Sequence, residues 1–184
     1  MTVWCHTVMT ATDLPSSSAQ HELEAPPWSR VESTILAAAA DIRALYDQRF
    51  EPLELTLSLA SLLCYLDDFG PVTQTRAADH LRQGRAVTGT QVDRLERRGL
   101  VERLPDPADR RVWLVALTDA GRILAASAVE IDVAIRGELR DGVSRSERQA
   151  LASVLVRLQH NISAALEQGG EAETHPPNTQ GEPS

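Results

Sequence analysis

Arginine is the residue type in this chain most suited to binding chemistry, and its distribution is uneven. All 18 basic residues are Arg, because the sequence contains no Lys. Residues 70–117 hold nine arginines and six acidic residues, a net charge of +3, whereas the whole chain carries −8. Guanidinium groups bind phosphates and guanine bidentately. Because the local field decides where a polyanion binds, residues 70–117 (the +3 segment) predict a nucleic-acid site. A genome-wide preference for Arg would equally explain the absence of Lys.

Residues that could support other chemistry do not form a pattern. Cys5 and Cys64 are too few and too far apart for a disulfide framework or a zinc site. Cys64 lies in an apolar stretch, where a thiol tends to stay protonated. His80 stands alone, and Asp67 and Asp68 suit a solvated helix end better than acid–base catalysis. No phosphate-binding loop or nucleophile elbow is present, so we expect no enzyme, no metal and no cofactor.

The +3 segment must be positioned by helices and strands, and its pattern predicts their order. Thr73 suits the N-cap of a short helix that ends near residue 82. A second helix is expected at 85–98, ended by Gly99. Apolar segments at 100–104 and 112–117 predict two strands, which flank the turn-forming loop PDPADRR. Helix, turn, helix and hairpin in this order predict a winged helix-turn-helix at about 53–117.

Helices are expected on both sides of this segment. Ser29 and Glu32 form a capping-box pattern for a helix at 29–50, and an apolar helix is expected at about 55–68. Thr118 is expected to cap a helix of about twenty residues. A second capping box, Ser144 with Glu147, begins the last helix. The fold class is therefore mainly α with a small β-hairpin wing (α+β), with N- and C-terminal dimerisation helices.

The apolar stripes of the first helix and of the last two helices require a covering surface. A two-fold homodimer built from helices 29–50 and 118–167 covers them, and an intrachain helical subdomain is the alternative. Residues 1–27 and 168–184 are polar and are expected to be disordered tails around a domain at 28–167. No stretch is apolar enough to cross a bilayer and no secretory signal is evident, which predicts a cytoplasmic protein.

The segment VDRLERRGLVERLPDPADRRVWLVALTDAG resembles the MarR family of bacterial transcriptional regulators, and the resemblance covers about residues 29–166. It implies a homodimer on a pseudo-palindromic operator of double-stranded DNA, with the second helix of each pair in a major groove and the wing along the backbone and minor groove. It also implies a small effector, often aromatic or phenolic. Candidate effector contacts are Trp28, Tyr46, Tyr65 and Trp113. The alternative for Tyr65 is packing in the core, and the alternative for Trp113 is packing in the wing.

The resemblance also assigns site residues. Arg110 and Arg111 match the basic wing tip, with Arg111 in the minor groove. Asp109 matches the acid that orients Arg111, and Asp93 matches an acid tied to a wing arginine. The predicted DNA contacts are Thr73, Gln74, Arg85, Val87, Gly89, Thr90, Gln91, Arg94, Asp109, Arg110 and Arg111.

The start of the second helix departs from the family pattern. Gly84 and Thr90 replace a serine and a basic residue, which leaves the operator sequence open. Gly89 could permit close approach to a base edge or sugar, and Gln91 could read adenine or could face inward. The expected function is a ligand-responsive repressor. The alternative is a winged helix that serves only protein–protein interaction.

Overall fold

The structure, a computed structural model, describes Pro26 and residues 30–172. This part contains six helices and a three-stranded antiparallel sheet, which confirms the expected mainly helical fold with a wing. The helices are α1 Val31–Phe50, α2 Leu57–Phe69, α3 Gln74–His80, α4 Arg85–Arg97, α5 Asp119–Leu139 and α6 Arg145–Ala172, with a 3₁₀ turn at Glu51–Leu53. The strands are β1 Val72–Thr73, β2 Val101–Pro105 and β3 Trp113–Leu117. The chain divides into two compact units after Val133, and each is described by itself.

The centre of the first unit is α2, which is apolar on nearly all sides. Leu59, Leu62, Leu63 and Leu66 are each at most 2% exposed, as the uninterrupted apolar sequence predicted. The helix begins two residues later than expected, because Thr56 is its N-cap and accepts a hydrogen bond from the Leu59 N–H. This rigid core supports the helices and the wing that follow it in sequence.

The predicted capping box at the start of α1 is wrong. Arg30 occupies the N-cap and provides no side-chain cap, and its carbonyl accepts the first helical hydrogen bond, from the Thr34 N–H at 3.2 Å. Glu32 is therefore the second residue of the helix, whereas a capping box requires the acidic residue to be the third. Ser29 and Trp28 lie outside the described residues.

The sheet contains one strand that the sequence did not predict. Its order is β1–β3–β2, with Val72 opposite Val115 on one side and Arg103 opposite Val115 on the other. The extra strand β1 has only two residues, too few for an alternating pattern to be recognised. It anchors the start of α3 to the wing, because Thr73 is both its last residue and the N-cap of α3.

The wing is joined to α5 by a close backbone contact. The Thr118 hydroxyl donates to the Gly99 carbonyl at 2.7 Å and accepts the Gly121 N–H at 3.1 Å, which confirms Thr118 as the cap. A Cβ on Gly121 would stand 2.0 Å from the Leu100 carbonyl oxygen. Only glycine therefore allows α5 to pass so near to the turn after α4.

In the second unit, α6 begins with the predicted capping box. The Glu147 N–H donates to the Ser144 hydroxyl at 3.3 Å, and the Ser144 N–H donates to Glu147 Oε2 at 2.8 Å. The helix continues to Ala172, although the sequence predicted a tail from residue 168. The expected disordered tails otherwise lie outside the described residues. None of the helices in residues 30–172 is long and apolar enough to cross a membrane.

Candidate nucleic-acid interface

The two short helices α3 and α4 are joined by a tight turn. Thr73 caps α3 by accepting from the Arg76 N–H at 3.2 Å, as predicted. The helix ends near His80, earlier than expected, and Arg82 adopts a φ of +50° in the left-handed region that usually takes glycine after a helix. Gly84 is the N-cap of α4, which Gly99 follows with a φ of +68°. This turn sets the direction in which α4 projects.

The inner face of α4 contains Thr88, Val92 and Leu95, which recur at the three- and four-residue spacing of one helical face and are each 0% exposed. Its outer residues are exposed, among them Val87 at 54%. Gln91 is half-buried, and its Oε1 is buried without a hydrogen-bond partner among the described residues. The Gln91 amide is thus partly turned inward, whereas the side chains of Arg85 and Arg94 are exposed and free to reach a ligand. Thr90 is also exposed, and its hydroxyl donates to the Ala86 carbonyl at 3.1 Å.

Gly89 lies against the side chain of Gln74 from α3. A Cβ on Gly89 would be 3.0 Å from Gln74 Nε2, which donates to the Arg85 carbonyl at 3.3 Å. Absence of a side chain at Gly89 therefore lets Gln74 connect the two helices. This gives Gly89 a role within the fold that the sequence did not suggest.

An ion-pair cluster fixes α4 to the wing. Arg103 on β2 bonds Asp93 Oδ1 through Nη2 at 2.6 Å and also pairs with Glu96. The hydrogen bond to Asp93 is the main influence that raises the pKa of Arg103 above its already high usual value. Asp93 thus pairs with a wing arginine, as the resemblance implied, and that arginine lies in the strand rather than at the tip. The cluster sets the angle between α4 and the wing.

Arg98 holds the other end of α4. Its two terminal nitrogens donate to the Glu54 carbonyl at 2.7 Å and to the Leu53 carbonyl at 3.0 Å. The residues joined are more than forty positions apart in sequence, so no local pattern could have predicted this contact. It ties the C-terminal end of α4 to the turn that precedes α2.

The tip of the wing is shaped by two aspartates. Asp106 Oδ1 accepts the Ala108 N–H at 2.8 Å, and Asp109 Oδ1 accepts the Arg111 N–H at 3.0 Å. Asp109 was expected to orient the Arg111 guanidinium, but it bonds the Arg111 backbone instead. Short aspartate side chains readily close such turns. The carboxylates therefore order the loop through its backbone, and the side chains of Arg110 and Arg111 stay exposed.

Six of the nine arginines in the +3 segment are exposed, and their guanidinium groups make no hydrogen bond or ion pair with any residue in the described part of the chain. They are Arg76, Arg82, Arg85, Arg94, Arg110 and Arg111. They come from α3, the turn, α4 and the wing loop, which are the elements of the predicted DNA site. Their uncompensated charges favour an anionic ligand.

The candidate effector contacts lie on different elements. Tyr46 on α1 is buried and donates to Asp132 Oδ1 at 2.7 Å. Tyr65 on α2 is 5% exposed and stacks on His80 with ring centroids 4.1 Å apart. Tyr65 therefore packs in the core, which was the alternative for this residue. Trp113 on β3 is 56% exposed.

Cys64 lies half-buried in α2. Burial, with a further contribution from Asp132, Asp68 and Asp67, raises the pKa of its thiol. The thiol form is favoured by this environment, as the apolar sequence predicted. In the described residues, no three His, Cys, Asp or Glu side chains are grouped so that they could hold a metal ion.

Comparisons with known proteins agree with this geometry. A sequence model described as the MarR family matches residues 54–112, from the start of the central helix to the wing. Among solved structures, BpsR of Bordetella bronchiseptica, described as regulated in its DNA binding by 6-hydroxynicotinic acid, is 27% identical. The likeness covers 73% of this chain and 96% of that one, with a TM-score of 0.68.

Two further structures were determined with DNA. The repressor CouR, bound to a 23-mer duplex, is 28% identical over 78% of this chain and 99% of its own, with a TM-score of 0.65. The S. aureus MepR–DNA complex has a TM-score of 0.65 at 22% identity, over 71% of this chain and 96% of its own, and shows the shared fold. The segment 54–112, which holds the helix-turn-helix and the first part of the wing, is thus similar to the MarR family, and the chain shares its fold with these transcriptional regulators.

Proposed function

We propose that this chain is a DNA-binding transcriptional regulator that acts as a homodimer on a pseudo-palindromic operator. The carrying observation is the set of six exposed, unengaged arginines on α3, α4 and the wing. In this arrangement α4 is the recognition helix and enters a major groove, while the wing lies along the neighbouring minor groove.

Arg85 and Val87 in the first turn of α4 are suited to reading base edges. A guanidinium pairs with guanine, and an apolar side chain contacts a thymine methyl group. Thr73 and Gln74 at the start of α3, and Thr90 and Arg94 along α4, would contact phosphates beside the groove. Gln91, whose Oε1 is buried, contributes less to base readout than Arg85.

Arg111 is proposed to insert into the minor groove, with Arg110 on the backbone beside it. A narrow A·T-rich groove concentrates negative potential and attracts a guanidinium. The backbone hydrogen bond from Arg111 to Asp109 fixes the loop from which this side chain extends. Asp109 thus contributes to binding through the shape of the wing.

The homodimer is proposed from the exposed apolar side chains of the terminal helices. On α1, Leu36 is 72% exposed, and on α6, Leu151, Ile162 and Leu166 are 56–72% exposed. Such faces need cover in solution. A symmetric pair presents two recognition helices about one turn of DNA apart, which matches a palindromic site.

Control by a small aromatic or phenolic molecule is part of the proposal. It is supported by the likeness to BpsR, whose DNA binding 6-hydroxynicotinic acid regulates. A ligand that binds one dimer conformation better than another would change the spacing of the recognition helices and release the operator, as in a repressor.

The test of the proposed function is DNA binding by the purified chain. Duplexes are selected from a random pool and then titrated at fixed salt with the wild type and with Arg111→Ala. We expect Arg111→Ala to weaken binding by about 1–3 kcal/mol and to leave the oligomeric state unchanged.

Arg140→Ala is the matched control, because Arg140 is an exposed arginine in the turn after α5, outside the +3 segment. It makes the same change in charge and should bind as the wild type does. A wild type that enriches no sequence and binds no duplex at low salt would refute the function. Equal losses from both variants would refute the wing assignment.

A further inference from the structure

Trp113 is a large apolar side chain that the described fold leaves open to solvent. It is the first residue of β3 and is 56% exposed, whereas Val115 and Leu117 on the same strand are buried. A single exposed apolar side chain is ordinary. What matters is the side of the wing from which the indole projects.

The strand register shows that Trp113 and Arg103 share one face of the wing. Pro105 lies opposite Trp113 in the antiparallel pair, and Arg103 is two residues before Pro105. Opposite residues, and residues two apart on a strand, project to the same side. Arg103 reaches Asp93 and Glu96 on α4. The indole therefore projects from the face turned toward the recognition helix, about 7 Å further along the wing than Arg103.

The charges next to Trp113 favour a polyanion. Arg110 and Arg111 precede it in the wing loop and are exposed and unengaged within the described residues. The neighbouring carboxylates of Asp106 and Asp109 each accept a backbone N–H of the loop. An apolar ring beside free guanidinium groups suits a partner with both phosphates and apolar sugar surface.

We propose that Trp113 packs its indole against the sugar–phosphate backbone of the DNA strand that passes between α4 and the wing. This inference rests on the proposed function. If α4 occupies a major groove and Arg111 the adjacent minor groove, the strand that separates the two grooves must cross the face that holds Trp113. The flat ring covers a deoxyribose, and its Nε1–H donates to a phosphate oxygen. In this role Trp113 is a DNA contact rather than an effector contact.

Tryptophan fluorescence tests this contact directly, because the chain has three tryptophans, Trp4, Trp28 and Trp113. A Trp4→Phe, Trp28→Phe variant leaves Trp113 as the only indole. It is titrated with the duplex selected by the wild type. We expect the emission to change and the acrylamide quenching constant to fall severalfold at saturation. Trp113→Phe, which keeps the other two tryptophans, is the control and should show no such protection.

The affinity for the selected duplex provides a second, independent test of the Trp113 contact. Trp113→Ala should weaken binding about tenfold, yet keep the dependence of log K on log salt, because the indole neutralises no phosphate. Arg111→Ala should instead lower the magnitude of that slope by about 1. Leu104→Ala is the matched control, since Leu104 is 38% exposed, lies next to Pro105 and therefore projects from the opposite face. It should bind as the wild type does.

Failure of this inference can be told from failure of the proposed function. A wild type that binds no duplex at low salt refutes the proposed function and, with it, the contact. If the wild type and the Trp4→Phe, Trp28→Phe variant both bind the duplex while Trp113 in that variant stays fully open to acrylamide, the contact alone is refuted. The contact is also refuted if Trp113→Ala loses affinity while DNA does not protect the indole from acrylamide. Trp113 would then affect binding only by stabilising the wing, and thermal unfolding of Trp113→Ala would show that loss of stability.

Discussion

Three of the nine arginines in the +3 segment, Arg97, Arg98 and Arg103, bond within the chain, and the other six stay exposed. Arg103 and Arg98 anchor the two sides of α4 through Asp93 and the Glu54 carbonyl. Residue type alone therefore does not separate a structural arginine from a binding one. The separation depends on which acceptors the fold brings within reach of each guanidinium.

Glu147 provides a residue-level prediction on pH. Its hydrogen bonds with Ser144 lower the pKa of the Glu147 carboxyl. A lowered folded-state pKa means that the stabilisation is present above the unfolded value of about 4.3 and is lost as the pH falls through the folded value. We expect Glu147→Gln to lower the Tm at pH 7, and we expect this difference from the wild type to shrink as the pH falls below about 4.

The control for this prediction is Glu102→Gln, a change of an exposed glutamate on β2 that caps no helix. Its Tm difference from the wild type should be smaller than that of Glu147→Gln at pH 7. A Glu147→Gln difference that persists undiminished at pH 3 would contradict the role of the charged cap.

At the scale of the elements, the packing of α5 against the start of the wing depends on one close contact between two backbone segments. Gly121 in α5 lies beneath the Leu100 carbonyl, where a Cβ would be 2.0 Å from the oxygen. Gly121→Ala should therefore push α5 away from the turn after α4 and destabilise the fold by roughly 3 kcal/mol. Urea unfolding followed by circular dichroism measures the change.

Gly137, near the end of the same helix, is the matched control. A Cβ there meets nothing within 4 Å. Gly137→Ala should leave the stability unchanged or raise it by up to about 1 kcal/mol, because alanine lowers the entropy cost of the helix. Equal effects of the two substitutions on stability would show that the Leu100 carbonyl does not limit how closely α5 approaches the turn after α4.

Sequence patterns predicted the elements of the candidate DNA site better than the contacts between those elements. Thr73, Thr118 and Ser144 were recognised as caps because capping depends on residues within one turn. The predicted cap at Ser29 was wrong, because the helix begins one residue later, with Arg30 at the N-cap. The first residue of a helix is often uncertain by one or two positions when it is judged from sequence. The Gln74–Gly89 contact could not be predicted, since it joins two helices across a turn.

At the scale of the whole molecule, two recognition helices are needed for a palindromic operator, so binding should depend on the dimer. Ile162 lies in the apolar stripe of α6 and is 57% exposed in the single chain. Ile162→Arg should convert a dimer of twice 20.1 kDa into monomers without unfolding them. Operator affinity should then fall by about 10²-fold or more, because the second half-site is no longer coupled.

Analytical ultracentrifugation measures the mass, and a gel shift measures the affinity. His160→Arg is the control, because helical positions two apart lie on opposite sides, and His160 is exposed. It should keep both the dimer and the affinity. A wild type that sediments as a 20.1 kDa monomer would contradict the proposed assembly.

The sequence by itself determined the order of the elements, the inner face of α4 and the excess of arginine around the wing. These features depend on spacing within one helical turn or one hairpin, where near neighbours in the chain are also near neighbours in space. Only the tertiary structure decided that Arg103 holds Asp93, that Asp109 bonds the Arg111 backbone, and that Trp113 shares the face of Arg103. Those outcomes depend on strand register and on contacts between separate elements, which side-chain geometry settles only after the chain has folded.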